Sequence, residues 1–349
     1  MKKLIFILIA LLLSFSMSFG VSKVGTTAAQ FLKIGVGSRA VGMGGAFVAV
    51  ANDVSALYWN PAGLSRLHHN EAILMHSEWL ADINFDYAGI AIDMGAMGTI
   101  GVSVTSVTMG EMKVRTELQP EGTGELFSAS DIAGSIAYAR SLTDRFSIGF
   151  NFKYIRQNIW HMASNGFAVD VGTLFKTQFN GMTIGMSITN FGPKMKMAGR
   201  DAKEYIDINP NANGSNDQLP AQLQMDPWSL PITFRVGVAM DAFRTENNAL
   251  MVAVDALHPS DNSEYVNLGM EYSFYDWGFI RLGWQALFLD DNERGGVFSG
   301  EGSNNVVPSN VGLGVQYEVA RGVVLKLDYA YADFGRLQNT QRFSLSVEF

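Results

Sequence analysis

The 349-residue chain has no cysteine. That excludes disulfides, thiolate metal sites, a cysteine nucleophile and a lipidated cysteine after a leader. Past its first residues it also lacks any uninterrupted apolar run near the roughly 20 residues that a membrane helix needs. Charged residues are sparse at 17%, and their balance is acidic, formally −8, which argues against nucleic acid as a partner. The five histidines, His68, His69, His76, His161 and His258, show no repeated metal-ligand spacing, so neither a metal nor another cofactor is expected. Glycine, at 36 residues, and aromatics, at 11%, are plentiful. With no spanning helix available, only a closed β-barrel could carry this composition across a bilayer.

The N-terminus reads as an export signal. Lys2 and Lys3 precede an apolar run over 4–13, and Ser18-Phe19-Gly20 offers small residues at the positions a signal peptidase reads. We therefore expect a signal peptide at 1–20 and a mature chain starting near Val21, two charges more acidic once both lysines leave. At the other end, 341–349 alternates strictly. Phe343, Leu345, Val347 and Phe349 are apolar, and Ser344, Ser346 and Glu348 between them are polar. Side chains of a strand alternate between its faces, so this segment has one lipid-compatible and one wet face. Its apolar residues and final aromatic are the expected signal for the barrel-insertion machinery.

Alternating segments recur along the chain at 71–80, 84–94, 98–108, 128–140, 144–156, 165–176, 181–190, 231–241, 248–257, 265–274, 277–287, 310–319, 322–333 and 341–349. That makes fourteen, the even number expected of a bacterial barrel with both termini on the periplasmic side. Links after even strands are short: 95–97, 141–143, 177–180, 242–247, 275–276 and 320–321. The long links, 109–127, 191–230 and 288–309, all follow odd strands. Tight periplasmic turns opposite longer outer loops match an outer-membrane barrel, and a soluble sandwich has no reason to sort its loops. The expected fold is an all-β, 14-stranded antiparallel transmembrane barrel over 71–349, preceded by an N-terminal hatch over 21–70.

Facing follows from the alternation. In 144–156, Phe146, Ile148, Phe150, Phe152 and Tyr154 should meet lipid, with Ser147, Gly149, Asn151 and Lys153 inside. In 322–333, Val323, Leu325, Leu327, Tyr329 and Tyr331 should face out, with Lys326 and Asp328 inside. Asp170, Arg235, Asp255, Glu271, Arg281 and Glu318 should also point inward. Unpaired buried charge is costly, so both signs together predict ion pairs around a plugged or narrow lumen.

The plug candidate is 25–69, rich in glycine and alanine. It carries Gly35-Val36-Gly37-Ser38-Arg39-Ala40, then Gly42-Met43-Gly44-Gly45-Ala46, then Asp53 and Ser55-Ala56-Leu57-Tyr58-Trp59-Asn60-Pro61-Ala62-Gly63-Leu64. Glycines here permit close backbone packing, Pro61 stiffens a turn, and Asn60 and Asp53 can satisfy nearby backbone groups. The last run resembles the hatch of the FadL-like long-chain fatty-acid transporters and, more closely, the PorV/PorQ family of outer-membrane proteins. Trp79-Leu80-Ala81-Asp82-Ile83-Asn84, Leu327-Asp328-Tyr329-Ala330-Tyr331-Ala332-Asp333-Phe334-Gly335 and Arg342-Phe343-Ser344-Leu345 resemble other parts of that family. The resemblance implies fourteen strands with the hatch folded into the periplasmic mouth.

Other chemistry is weakly supported. Gly35 to Ala40 spells a dinucleotide fingerprint, but that reading requires a preceding strand, a following helix, an acidic residue at the next strand's end and a compartment that holds the cofactor. Asp290-Asp291-Asn292-Glu293-Arg294-Gly295 with Glu301 nearly spells a calcium loop, yet Arg294 stands where a ligand oxygen belongs. His161 with Ser164 has no third partner for hydrolysis. Trp79, Trp160, Trp277 and Trp284 fit an interfacial belt or the wall. Two roles remain open, neither catalytic. Similarity to PorV/PorQ implies a component or accessory of type IX protein secretion, engaging secreted proteins or secretion subunits through its outer loops. Similarity to the transporters implies passive passage of hydrophobic small molecules. In that case Met195, Met197, Leu219, Leu223 and Met225 would line an outer pocket, although they could equally cap the barrel.

Overall fold

The computed structural model describes residues 25–209, 211, 218–287, 308–334 and 339–349. The expected signal peptide, the calcium-like loop at 290–301 and Gly335 lie outside the described residues.

Fourteen strands form one antiparallel ring. They are β1 (Glu71–Glu78), β2 (Asn84–Asp93), β3 (Thr99–Thr108), β4 (Ala129–Ser141), β5 (Phe146–Ile159), β6 (Met162–Lys176), β7 (Thr183–Phe191), β8 (Thr233–Arg244), β9 (Asn248–Pro259), β10 (Tyr265–Phe274), β11 (Gly278–Leu287), β12 (Asn310–Ala320), β13 (Val323–Ala332) and β14 (Thr340–Glu348). Each pairs with its sequence neighbours, and β1 closes on β14 with Glu71 opposite Glu348 and Glu78 opposite Gln341. Phe349 extends this seam by exchanging two backbone hydrogen bonds with Asn70, at 2.9 and 3.1 Å. Closure leaves no free strand edge, the condition for a sheet to sit in hydrocarbon.

Alternation decides which atoms meet lipid. On β5, Phe150, Phe152 and Tyr154 are exposed while Ser147, Gly149, Asn151 and Lys153 are buried. On β13, Leu325 and Leu327 are exposed and Asp328 is buried. Phe152 and Phe167 stack across neighbouring strands at 5.7 Å on the outer surface. Glu318 keeps the register of the inward-facing Gly314 and Gln316, but it lies at the open end of β12. It is exposed, just before a bulge where the β12–β13 register shifts, and accepts the Gly322 N–H of the following turn.

The long links are partly ordered into their own ladders, Met112–Lys113 with Leu126–Phe127 and Lys203–Ile206 with Leu219–Gln222. Ala198–Gly199 adds to the outer end of β6. Met195 is buried with Leu230, Ile155 and Phe31, so it caps the barrel, whereas Leu223 is exposed.

The main apolar cluster lies inside the ring and is built largely from 36–67, including Met43, Phe47, Leu57, Trp59 and Leu64. Two short helices, α1 (Ser38–Gly42) and α2 (Ala56–Trp59), and single turns at Gln30–Lys33 and Pro61–Arg66 organise this segment.

Candidate functional site

The N-terminal segment traverses the lumen from the outer end to the periplasmic end. At the outer end, Asp261 in the β9–β10 link accepts hydrogen bonds from Thr27 Oγ1 (2.9 Å) and Gln30 Nε2 (2.8 Å), and Lys33 Nζ lies 3.0 Å from both its oxygens. Ala29 N–H donates to Gln157 on β5 and Ala28 N–H to Ser229 O. A hatch confined to the periplasmic mouth, as the family resemblance implied, would place none of these residues there. The correction has a simple cause: 45 residues with little regular structure are long enough to span the lumen and return down it.

Deeper in the lumen the segment carries charge. Arg39 on α1 holds Glu271 of β10 in a two-pronged pair (2.7 and 2.8 Å) and Asp53 at 3.0 Å. Glu271 also accepts Arg281 Nε at 2.6 Å, and Arg281 reaches Asp328 at 2.5 Å. Lys326 bridges Glu71 and Glu348 across the β1–β14 seam. Glu71 in turn accepts the Val54 N–H at 2.8 Å. On the other side, Lys153 pairs with Asp170 at 2.7 Å. Burial disfavours every one of these charges alone, and pairing within bonding distance offsets it.

The backbone of the segment presses on wall glycines. A Cβ at Gly185 of β7 would lie 2.7 Å from Ala49 Cα, and one at Gly269 of β10 would lie 2.5 Å from Met43 O. Gly149, Gly172 and Gly283 meet Pro61, Asn60 and Gly44 closer still. Side chains at these wall positions would expel the segment. Asp255 of β9 accepts the Phe47 and Val48 N–H groups, both at 2.8 Å. Asn60 donates to Val48 O (2.8 Å) and to Thr173 O on β6 (3.1 Å), while its Oδ1 caps the next turn at Ala62 N–H (3.2 Å).

Above this floor, a cavity of about 420 Å³ is lined by Phe31, Tyr58, Trp59, Trp79, Arg235 and Arg342 among others. Arg235 lies over the Trp59 ring at 5.3 Å and the Tyr58 ring at 5.7 Å, and Arg342 over Trp79 at 5.1 Å.

The model of the type IX secretion system protein PorV matches residues 20–221, more than half of the chain. The chain belongs to the PorV family. No curated protein sequence matches it. Among solved structures, the CymD monoaromatic hydrocarbon channel is similar at TM-score 0.54 and 12% identity, over 90% of this chain and 97% of that one. The Pseudomonas aeruginosa FadL homologue is similar at 0.52 and 11%, over 90% and 98%, and the Pseudomonas putida toluene transporter TodX at 0.52 and 12%, over 90% and 97%. At such identities the likeness is one of fold. This PorV-family chain therefore has the FadL-like outer-membrane barrel architecture.

Within this PorV-family barrel, the residues singled out in the sequence fall into two places. Gly42 and Gly44 pack against the backbones of Gly312 and of Gly283 and Trp284, and Gly45 against the Trp59 ring. Asp53 accepts the Ser55 N–H and Oγ–H (2.9 and 2.5 Å). Gly63 abuts Ala51, and Pro61, Ala62 and Leu64 are buried. Phe343, Leu345 and Phe349 are exposed on the lipid side of the seam, with Val347 half-buried. Trp160 and Trp277 are exposed, as a belt requires, but Trp79 is not a belt residue. It faces the cavity and meets Phe334 edge-on at 5.1 Å. His161 bonds Asp201 (3.1 Å), and Ser164 Oγ is buried without a hydrogen-bond partner, so the two do not form a catalytic pair. The role of Arg39 had escaped the sequence reading. Its signal was available, since Arg39 is the sole charged residue between Lys33 and Asp53.

Proposed function

We propose that this protein is a non-catalytic accessory of type IX protein secretion, exported by its N-terminal signal and binding secreted proteins or partner subunits through its outer loops. Family membership over 20–221 supports the reading. The observation that carries it is the contrast between lumen and loops. The N-terminal segment, read here as a hatch, is tied by ion pairs and backbone contacts to strands around the ring, which supports a lumen that does not itself carry a polypeptide. The outer loops instead expose large apolar side chains beyond the wall: Leu118 (94%), Tyr205 and Ile208 (both 73%), Leu223 and Trp228. Such groups on loops that face water favour association with another protein.

A second reading, passage of hydrophobic small molecules, is supported by the aromatic cavity in the outer half of the lumen. Crosslinking in native outer membranes separates the two. Recovery of large secretion subunits or secreted cargo supports the first. A barrel recovered alone, whose deletion abolishes uptake of a hydrophobic probe, would sink it.

A further inference from the structure

Four basic residues are fully buried among the described residues, and they divide evenly. Lys153 and Arg281 have carboxylates at 2.7 Å or closer. Arg235, 6% exposed, and Arg342, 2% exposed, have none within ion-pair distance, and the Nε of each is buried without a hydrogen-bond partner. Asp255 acts on Arg235 electrostatically from beyond ion-pair distance; its Oδ2 accepts the Phe47 and Val48 N–H groups, and its Oδ1 is buried without a hydrogen-bond partner. Arg342 has a single polar partner, the Gly35 carbonyl, at 2.5 Å.

Both guanidiniums line the same cavity, and both act electrostatically on Tyr58, whose hydroxyl donates to Leu32 O at 3.2 Å. The aromatic rings beneath them offset only part of the cost of desolvating each ion. Two cations at the wall of one cavity, each with an idle donor and neither with an acid within ion-pair distance, lack a directly bonded negative partner. A neutral hydrocarbon would fill the space and leave both charges unmet. A carboxylate would meet both, since guanidinium is built to bind it with parallel hydrogen bonds.

We propose that the cavity binds a compact amphipathic organic anion, an aromatic or branched carboxylate, with its carboxylate between Arg235 and Arg342 and its body against Tyr58, Trp59 and Trp79. The volume of about 420 Å³ suits one such molecule. Because Gly45 and Trp59 form part of the floor and the segment below them is packed onto the wall, the site holds its ligand and does not conduct it. The inference does not rest on the secretion reading.

The test uses the full-length barrel in neutral detergent, with hydrocinnamate and hydrocinnamyl alcohol compared by titration calorimetry. The two probes share a body and differ in charge. The acid should bind at least about tenfold tighter than the alcohol, the lower end for charge-assisted hydrogen bonds. Arg235→Gln and Arg342→Gln should each weaken the acid at least about fivefold and leave the alcohol unchanged. Equal binding of acid and alcohol, no binding of the acid to the wild type, or unchanged acid affinity in both variants would overturn the proposal. The acid and alcohol comparison needs no variant to fold, and heat-modifiable gel mobility identifies variants that do. A barrel that crosslinks to secretion subunits but shows no preference for the acid would keep the functional reading and lose this one.

Discussion

Replacing Glu271 with glutamine keeps the side chain's shape and removes the one charge that two guanidiniums share. In the native lumen Glu271 accepts two hydrogen bonds from Arg39, at 2.7 and 2.8 Å, and one from Arg281 at 2.6 Å. Each charged hydrogen bond contributes about 1.5–3 kcal/mol, but the three do not add, because both arginines keep another acid. Arg39 retains Asp53 at 3.0 Å, and Arg281 retains Asp328 at 2.5 Å. The expected loss is therefore that of a broken buried pair, about 3–5 kcal/mol. Arg39→Met combined with Glu271→Gln removes a cation along with the anion and should recover about 1–3 kcal/mol of that loss, the usual size of coupling between contacting residues. Urea unfolding of the barrel in phosphatidylcholine vesicles measures both, with protease cleavage inside 25–70 reporting release of the segment. A Glu271→Gln variant within about 1 kcal/mol of wild type would show that Glu271 does not hold the segment, and would refute the reasoning.

Three further outcomes follow from single contacts. Gly185→Ala drives a Cβ into Ala49 and should cost about 1–3 kcal/mol, whereas Gly134→Ala, with nothing within 4 Å, should be neutral or slightly stabilising; the same urea titration compares them. Asn60→Ala leaves two carbonyls and one capped N–H without their partner and should cost about 2 kcal/mol or more, visible as faster hydrogen exchange over 48–63. Asp261 is buried, which opposes its charge, but bonds from Gln30, Lys33 and Thr27 outweigh burial and hold its pKa below the usual carboxylate value. The clamp it forms is thus present above the ordinary carboxylate pKa and is lost as pH falls through the lowered one. Acidification should accordingly expose 25–33 to protease before the barrel itself opens, and Asp261→Asn should abolish that pH step.

The wall was legible because a membrane strand writes its environment on every second residue. Phe150, Asn151, Phe152 and Lys153 state their facing in order, and loop lengths state the direction of each strand. Legibility stopped where alternation stopped. Glu318 keeps its parity, but the ladder breaks just after it, so alternation did not tell that it would be exposed. Trp79 sits past the end of β1, where no period constrains it, and turned toward the lumen. The N-terminal segment has no period either. Its glycines and Asn-Pro turn announced close packing without naming the partners, which are wall glycines as far away in the chain as Gly312 is from Gly42.

The sequence alone determined that this chain is a fourteen-stranded barrel wall with lipid outside and charge inside, because that choice depends on local alternation and on the absence of any helix long enough to span. Only the tertiary structure decided which charges meet. Arg39 finds Glu271 across 232 residues, while Arg235 and Arg342 have no acid within ion-pair distance. Pairing depends on where closure of the ring and the path of the segment through it place each side chain, and no local pattern encodes that distance.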